Sequence, residues 1–228
     1  MKILGFVSQR LRGGVFNSRL PIRMRPTNRS SHRLRWRIFS ALLLLLPPTA
    51  LSQGSATVAR ANLNYLVDNA QTIVRGNVVS AIVEPHPQFA NLPTVLVTIS
   101  VSKTFKGQIG TTFTFRQFLL EGKDTAGPGG YHKSEELLLF LNPTSLYGLT
   151  SPVGLEQGRF RVLRDNQGNR FALNGKGNVG LFADVAATSS SRGVTLSPQG
   201  KAMLATTSGR VSLATLEQTV QALVAVHP

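Results

Sequence analysis

Few residues in this chain have the type and spacing to do chemistry, and most of them fall between positions 103 and 136. In the run Tyr131-His132-Lys133-Ser134-Glu135-Glu136, His132 and Glu135 offer one imidazole and one carboxylate as metal ligands, with His86 far off in sequence. Two or three such donors fall short of a zinc set, and the His-Glu-x-x-His pattern is absent. The simpler reading is a loop histidine and a strand-start acid in solvent, so neither metal nor cofactor is expected. The Gly127-Pro128-Gly129-Gly130 run leads into a strand pattern. A phosphate cradle would instead open a helix whose N-terminus faces the anion. Nucleophilic catalysis finds as little: there is no cysteine, no Gly-x-Ser-x-Gly, and His227 is penultimate. Acids are too sparse to suggest a pair with divided acid and base roles.

A second group could bind rather than react. Lys103, Lys106 and Arg116 alternate with Phe105, Phe113, Phe115 and Phe118, a mixture of charge and rings of the kind that single-strand-binding barrels use. Phe113 and Phe115 share one strand face, however, and read more simply as core. The basic residues then serve as an edge that resists strand-on-strand pairing. No nucleic-acid partner is expected. Lys103, Lys106, Arg116, Tyr131 and His132 are left as a possible surface for a protein partner.

Charge supports that exclusion. Of 25 Lys and Arg, ten lie within residues 1–37, which hold no acid; the other fifteen face all ten acids, a net of +5. After the basic stretch, Ile38–Leu46 forms a short apolar run closed by Pro47-Pro48, with small residues at Ala50 and Ser52. That layout predicts a secretory signal cleaved after Ser52, or alternatively after Ala56. The run is about half of the ~20 residues a spanning helix needs. A membrane anchor follows only if the leader is left uncleaved. Met24 already begins a signal of ordinary size, so it is a candidate true start. Without cysteine there is no disulfide framework, and the chain beyond Ser52 is long enough to bury a core unaided.

The elements that must position these residues read mostly as β. Leu63, Leu66, Val67 and Ala70 predict a short amphipathic helix. A β-branched strand follows from Thr72 to about Glu84, with Gly76 marking a bulge or bend. "PHPQFANLP" predicts a proline-marked loop. Val95, Val97, Ile99 and Val101 alternate with polar residues, Lys106-Gly107 starts a connection to Gly110, and a second strand carries Phe113 and Phe115. Residues 121–134 read as a Gly/Pro-rich loop. Leu137–Leu141 predicts a strand buried on both faces, "LYGLTS" another short strand, residues 157–174 a hairpin, and "KGNVGLFADV" a weaker strand. The resulting layout is a leader at 1–52, a β-barrel domain at 53–185, a mobile Ser/Thr/Gly-rich connection at 186–210 and a C-terminal helix at 211–228. That helix carries Leu213, Leu216, Val220 and Leu223 on one stripe, with Ser212 as its cap.

The succession "AQTIVRGNVVS", "KTFKG", "FTFRQF", "EELLLFL", "LEQGRFRV" resembles a group of uncharacterised exported bacterial proteins. More distantly it is similar to the modules of netrins and of tissue inhibitors of metalloproteinases, over roughly residues 61–164. The resemblance implies a mainly β fold: a small OB-like, partly open five-stranded barrel with helices packed outside. Those inhibitors depend on cysteines, one of which chelates zinc at the mature N-terminus, and this chain has none. Fold is expected to carry over and inhibitory chemistry is not. The functional expectation is an exported, periplasmic or extracellular, non-enzymatic binding or structural module, whose partner could be an exported protein or a protease. A small hydrolase with a site assembled from distant residues, or a protease-associated inhibitor, stands as the alternative.

Overall fold

A computed structural model describes residues 60–119 and 130–226. The predicted leader with its predicted cleavage sites, the candidate start at Met24, most of residues 121–134 and His227 lie outside the described residues. Residues 56–228 make one unit.

Helix α1 (Leu63–Asn69) starts where the Asn62 side chain accepts the Tyr65 N–H, and it buries Leu63, Leu66 and Val67 as its spacing predicts. Seven antiparallel strands follow: β1 (Thr72–His86), β2 (Phe89–Lys106), β3 (Thr112–Phe118), β4 (Glu136–Leu141), β5 (Arg159–Arg164), β6 (Arg170–Asn174) and the two-residue β7 (Val211–Ser212). They form one sheet in the order β3-β2-β1-β4-β5-β6-β7. The mainly β expectation holds, with two strands more than the resemblance implies.

The sheet is open but rolled. In sheet order β2, β1 and β4 separate β3 from β5, which on a flat sheet would set them roughly 19 Å apart at about 4.8 Å per step. Yet the Tyr131 ring meets Phe115 of β3 edge-on at 5.7 Å and lies under the Arg159 guanidinium of β5 at 4.8 Å. Bending this far needs bulges. The β1–β2 register slips at four places, one of them between Arg75 and Gly76. Gly76 is required there, because a Cβ would collide with the Ser100 carbonyl.

Strand β4 divides two cores, as its unbroken apolar run predicts. Leu137, Leu139 and Leu141 join Val74, Val78, Val95, Val97, Ile99, Phe115, Leu119 and Tyr131 in the rolled interior. Leu138 and Phe140 face the other way and pack with Ile73, Phe160 and the helices. Phe113 is half-buried against the first cluster, short of the burial of Phe115.

Four local expectations are corrected. The Pro-marked loop shrinks to a turn at Pro87-Gln88, with Pro85 and Pro93 facing each other inside the strands. The Pro93 carbonyl points to the Leu119 N–H, so its missing N–H lies on the side away from β1 and costs that ladder nothing. "LYGLTS" is no strand; Ser145–Gly148 is a turn closed by Gly148 N–H on the Ser145 carbonyl, followed by a single bridge from Leu149 to Arg116. "KGNVGLFADV" is a chain of turns organised by Asn178. This buried residue takes the Asn174 N–H and donates to the carbonyls of Ala172 and Gly209. Residues 186–210, read as a mobile connection, hold most of α2 (Val185–Ser191) and all of α3 (Pro198–Leu204), and add Leu196 and Met203 to the buried residues. Helix α4 (Leu213–Ala225) closes the described chain, capped by Ser212 and buried along Leu213, Leu216, Val220 and Leu223 as predicted.

Candidate functional site

The cations of the predicted surface are drawn apart by their own contacts. Lys103 extends over the Phe105 ring at 4.7 Å and reaches Glu217 of α4 at 3.2 Å. Lys106 donates to the Val67 carbonyl at the end of α1, 3.1 Å away, where the helix dipole favours a cation. Arg116 pairs with Glu84 at 2.7 Å and donates to Thr94 Oγ1 at 2.9 Å. Three cations that neighbour one another in sequence thus serve three separate contacts.

Tyr131 is no surface residue. It is buried where the rolled sheet fails to close, and its hydroxyl donates to Gln117 Oε1 at 2.7 Å. Burial drives its phenol well above the ordinary tyrosine range, with Arg159 pulling the other way. His132 is exposed beside it. One oxygen of Glu135 takes the His132 backbone N–H and the other pairs with Arg161 Nε at 2.8 Å, so this carboxylate is committed to protein partners. Among the described residues no group of three His, Cys, Asp or Glu side chains is gathered.

His86 sits elsewhere, at the tip of the β1–β2 arm, and its environment is more telling. It is 4% exposed. Nδ1 accepts the Gln88 N–H at 3.1 Å, which places the proton on Nε2, and Nε2 donates to the Tyr147 carbonyl at 2.8 Å. The ring stacks on Phe89 at 5.0 Å, and Phe89 meets Tyr147 edge-on at 5.2 Å. The imidazole therefore latches the arm to the Ser145–Gly148 turn. What the latch holds outward is apolar: Leu146 is fully exposed, Tyr147 58% and Phe89 43%. Ile82 and Val83 on the same arm are also exposed.

Comparison with family models, with curated proteins and with solved structures finds no match. The geometry must speak for itself. It offers a stiff apolar tip on one hand and, on the other, a charged network across the helix-facing side of the sheet. In that network Glu136 of β4 receives Arg75, Arg164 at 3.1 Å and Arg170 at 3.3 Å, while Glu217 pairs with Arg75 at 2.7 Å and with Lys103.

Neither feature is among the sites that the sequence predicts. The tip was hidden because its residues come from a loop and a supposed strand some sixty positions apart, and only His86 carried a visible flag. The network did leave a signal. Arg75 interrupts an apolar strand and Glu217 adjoins the apolar stripe of α4, and a charge on a buried face needs a partner.

Proposed function

We propose that this chain is a non-enzymatic binding module that acts outside the cytoplasm and holds an extended peptide or protein segment on the Phe89–Leu146–Tyr147 tip. The observation that carries the reading is the combination of exposure and rigidity there. A domain with no partner gains nothing by presenting a fully exposed leucine next to a pair of half-exposed rings in contact. It gains still less by fixing that turn through a buried histidine with both nitrogens committed. Fixing the loop in advance removes much of the ordering cost that binding would otherwise bear. Covering each apolar side chain is worth about 1.5–3 kcal/mol, enough for a segment that brings two or three apolar groups. The basic leader and apolar run of the sequence support the extracytoplasmic setting.

The test is selection of peptides from a random display library on the immobilised full chain. Enriched peptides should carry aromatic or aliphatic residues and should lose affinity for Leu146→Asp at least tenfold. Peptides that bind the variant as well as the original would remove the tip from the account.

A further inference from the structure

The charged network carries more positive charge than its carboxylates can balance. Lys103, Arg75, Glu136, Arg164 and Arg170 stand on β2, β1, β4, β5 and β6, adjacent strands in the sheet order, and Glu217 reaches down to the row from α4. Four cations share two carboxylates, an excess of two. The two carboxylates are deeply set, with side chains 10% and 11% exposed, and so is Arg75 at 13%. Arg164 and Arg170 are different. They are register partners across the β5–β6 hairpin and stand 60% and 40% exposed. Like charges directly opposite in a sheet repel, and one carboxylate behind them neutralises at most one of the pair. Asp165 beside them gives no help, since its carboxylate is turned into its own loop by the Asn169 side chain and the Gln167 and Asn169 N–H groups.

From this arrangement we infer that Arg164 and Arg170, backed by Arg75 and Glu136, form a binding site for a doubly charged tetrahedral oxyanion, a phosphate or sulfate group. Each arginine spends one terminal nitrogen on Glu136. The guanidinium carries further N–H donors in a planar fork suited to such an oxyanion. Glu136 holds the two forks side by side, and the charge of the dianion equals the excess. The site lies on the helix-facing side of the sheet and is separate in residues from the apolar tip, so it stands or falls independently of the binding reading.

The experiment is thermal melting of the full chain in rising inorganic phosphate or sulfate, against chloride at matched ionic strength. The original should show a saturable rise in melting temperature with either dianion. Arg164→Gln with Arg170→Gln should lose that rise, with Glu136 still paired to Arg75 so that the fold is kept, as circular dichroism would verify. Lys201→Gln with Arg210→Gln, which removes the same charge from exposed positions elsewhere, should keep it. A phosphomonoester such as phenyl phosphate locates the source. Saturation at lower concentration than inorganic phosphate supports a group carried on a larger molecule, and saturation at the same concentration supports the free anion. The inference is overturned if no saturable rise occurs, if the rise survives in the arginine double variant, or if the control double variant loses it equally.

Discussion

The two sides of β4 bury the same residue type by different means. On one side Leu138 and Phe140 are covered by α1, α4 and the helices between; on the other Leu137, Leu139 and Leu141 are covered by the sheet rolling over on itself. Helices can be added to a sheet face piece by piece, and each brings its own apolar stripe. A rolled face has no such spare cover. Its strands must bend at bulges, and the seam that stays open needs a plug, which here is Tyr131 between Phe115 and Arg159. The helix side should therefore fail when a helix is taken away, and the rolled side when a single seam residue is changed.

Removing residues 211–228 should have the largest effect. It takes Val211, Leu213, Leu216, Val220 and Leu223 out of the helix-side core and strips Glu217 from Arg75. A helix of this length is marginal by itself, so its stability and that of the sheet face beneath it are shared. The truncated chain should bind a hydrophobic dye and melt without a cooperative transition. An unchanged melt would mean that α4 is not the cover described.

Within the rolled side, Phe115→Ala should cost about 3–5 kcal/mol and Phe113→Ala clearly less, because only the first ring is buried and braced by Tyr131. Denaturant midpoints of the two variants measure the gap directly. Equal costs would say that the seam is closed differently.

A smaller effect separates the sides by pH. Tyr131 has a raised phenol pKa in the folded state because it is buried, whereas an unfolded tyrosine ionises near 10. The contribution of the neutral phenol is thus fully present below about pH 10 and is lost as pH rises toward the folded value. Melting temperature should fall above about pH 10, and Tyr131→Phe should flatten that part of the profile. A profile that the substitution leaves unaltered would remove Tyr131 from the seam.

The helix side has its own flaw, and repairing it should give a gain of about 1–2 kcal/mol. Asn64 on α1 is buried with neither amide atom hydrogen-bonded, and so is the Ser189 hydroxyl on α2. The two helices are tied on either side of these groups, at Asn62 to Ala183 and at Asp68 to Arg192. Asn64→Leu should raise the denaturant midpoint. A loss instead would show that a bound water completes those bonds.

How much of this was legible follows from the range of the forces involved. The Leu137–Leu141 run, the Gly76 bulge, the β5–β6 hairpin and the stripe of α4 are local patterns, and local pattern suffices to read them. Asn178 cannot be read that way, because its four-way bonding to residues 172, 174 and 209 shows in no periodicity. Helices α2 and α3, at seven residues each, are too short to print an amphipathic signal, and α2 is all Ala, Ser and Thr after Val185. The candidate site failed for a third reason. Lys103, Arg116 and Tyr131 were visible as chemistry, but what each does is set by Glu217, Glu84 and Gln117, which only the fold brings near.

The central claim is that the stiff apolar tip is where this chain meets its partner. The direct measurement is photo-crosslinking from single positions of the full chain, with the photoreactive residue placed at Leu146, at Tyr147, or at Lys201 as a remote control, in cells that produce the chain. The account predicts one discrete crosslinked species from Leu146 and Tyr147, competed away by unmodified protein, and none from Lys201. Crosslinks of equal yield from all three positions, or none from the tip, would contradict it.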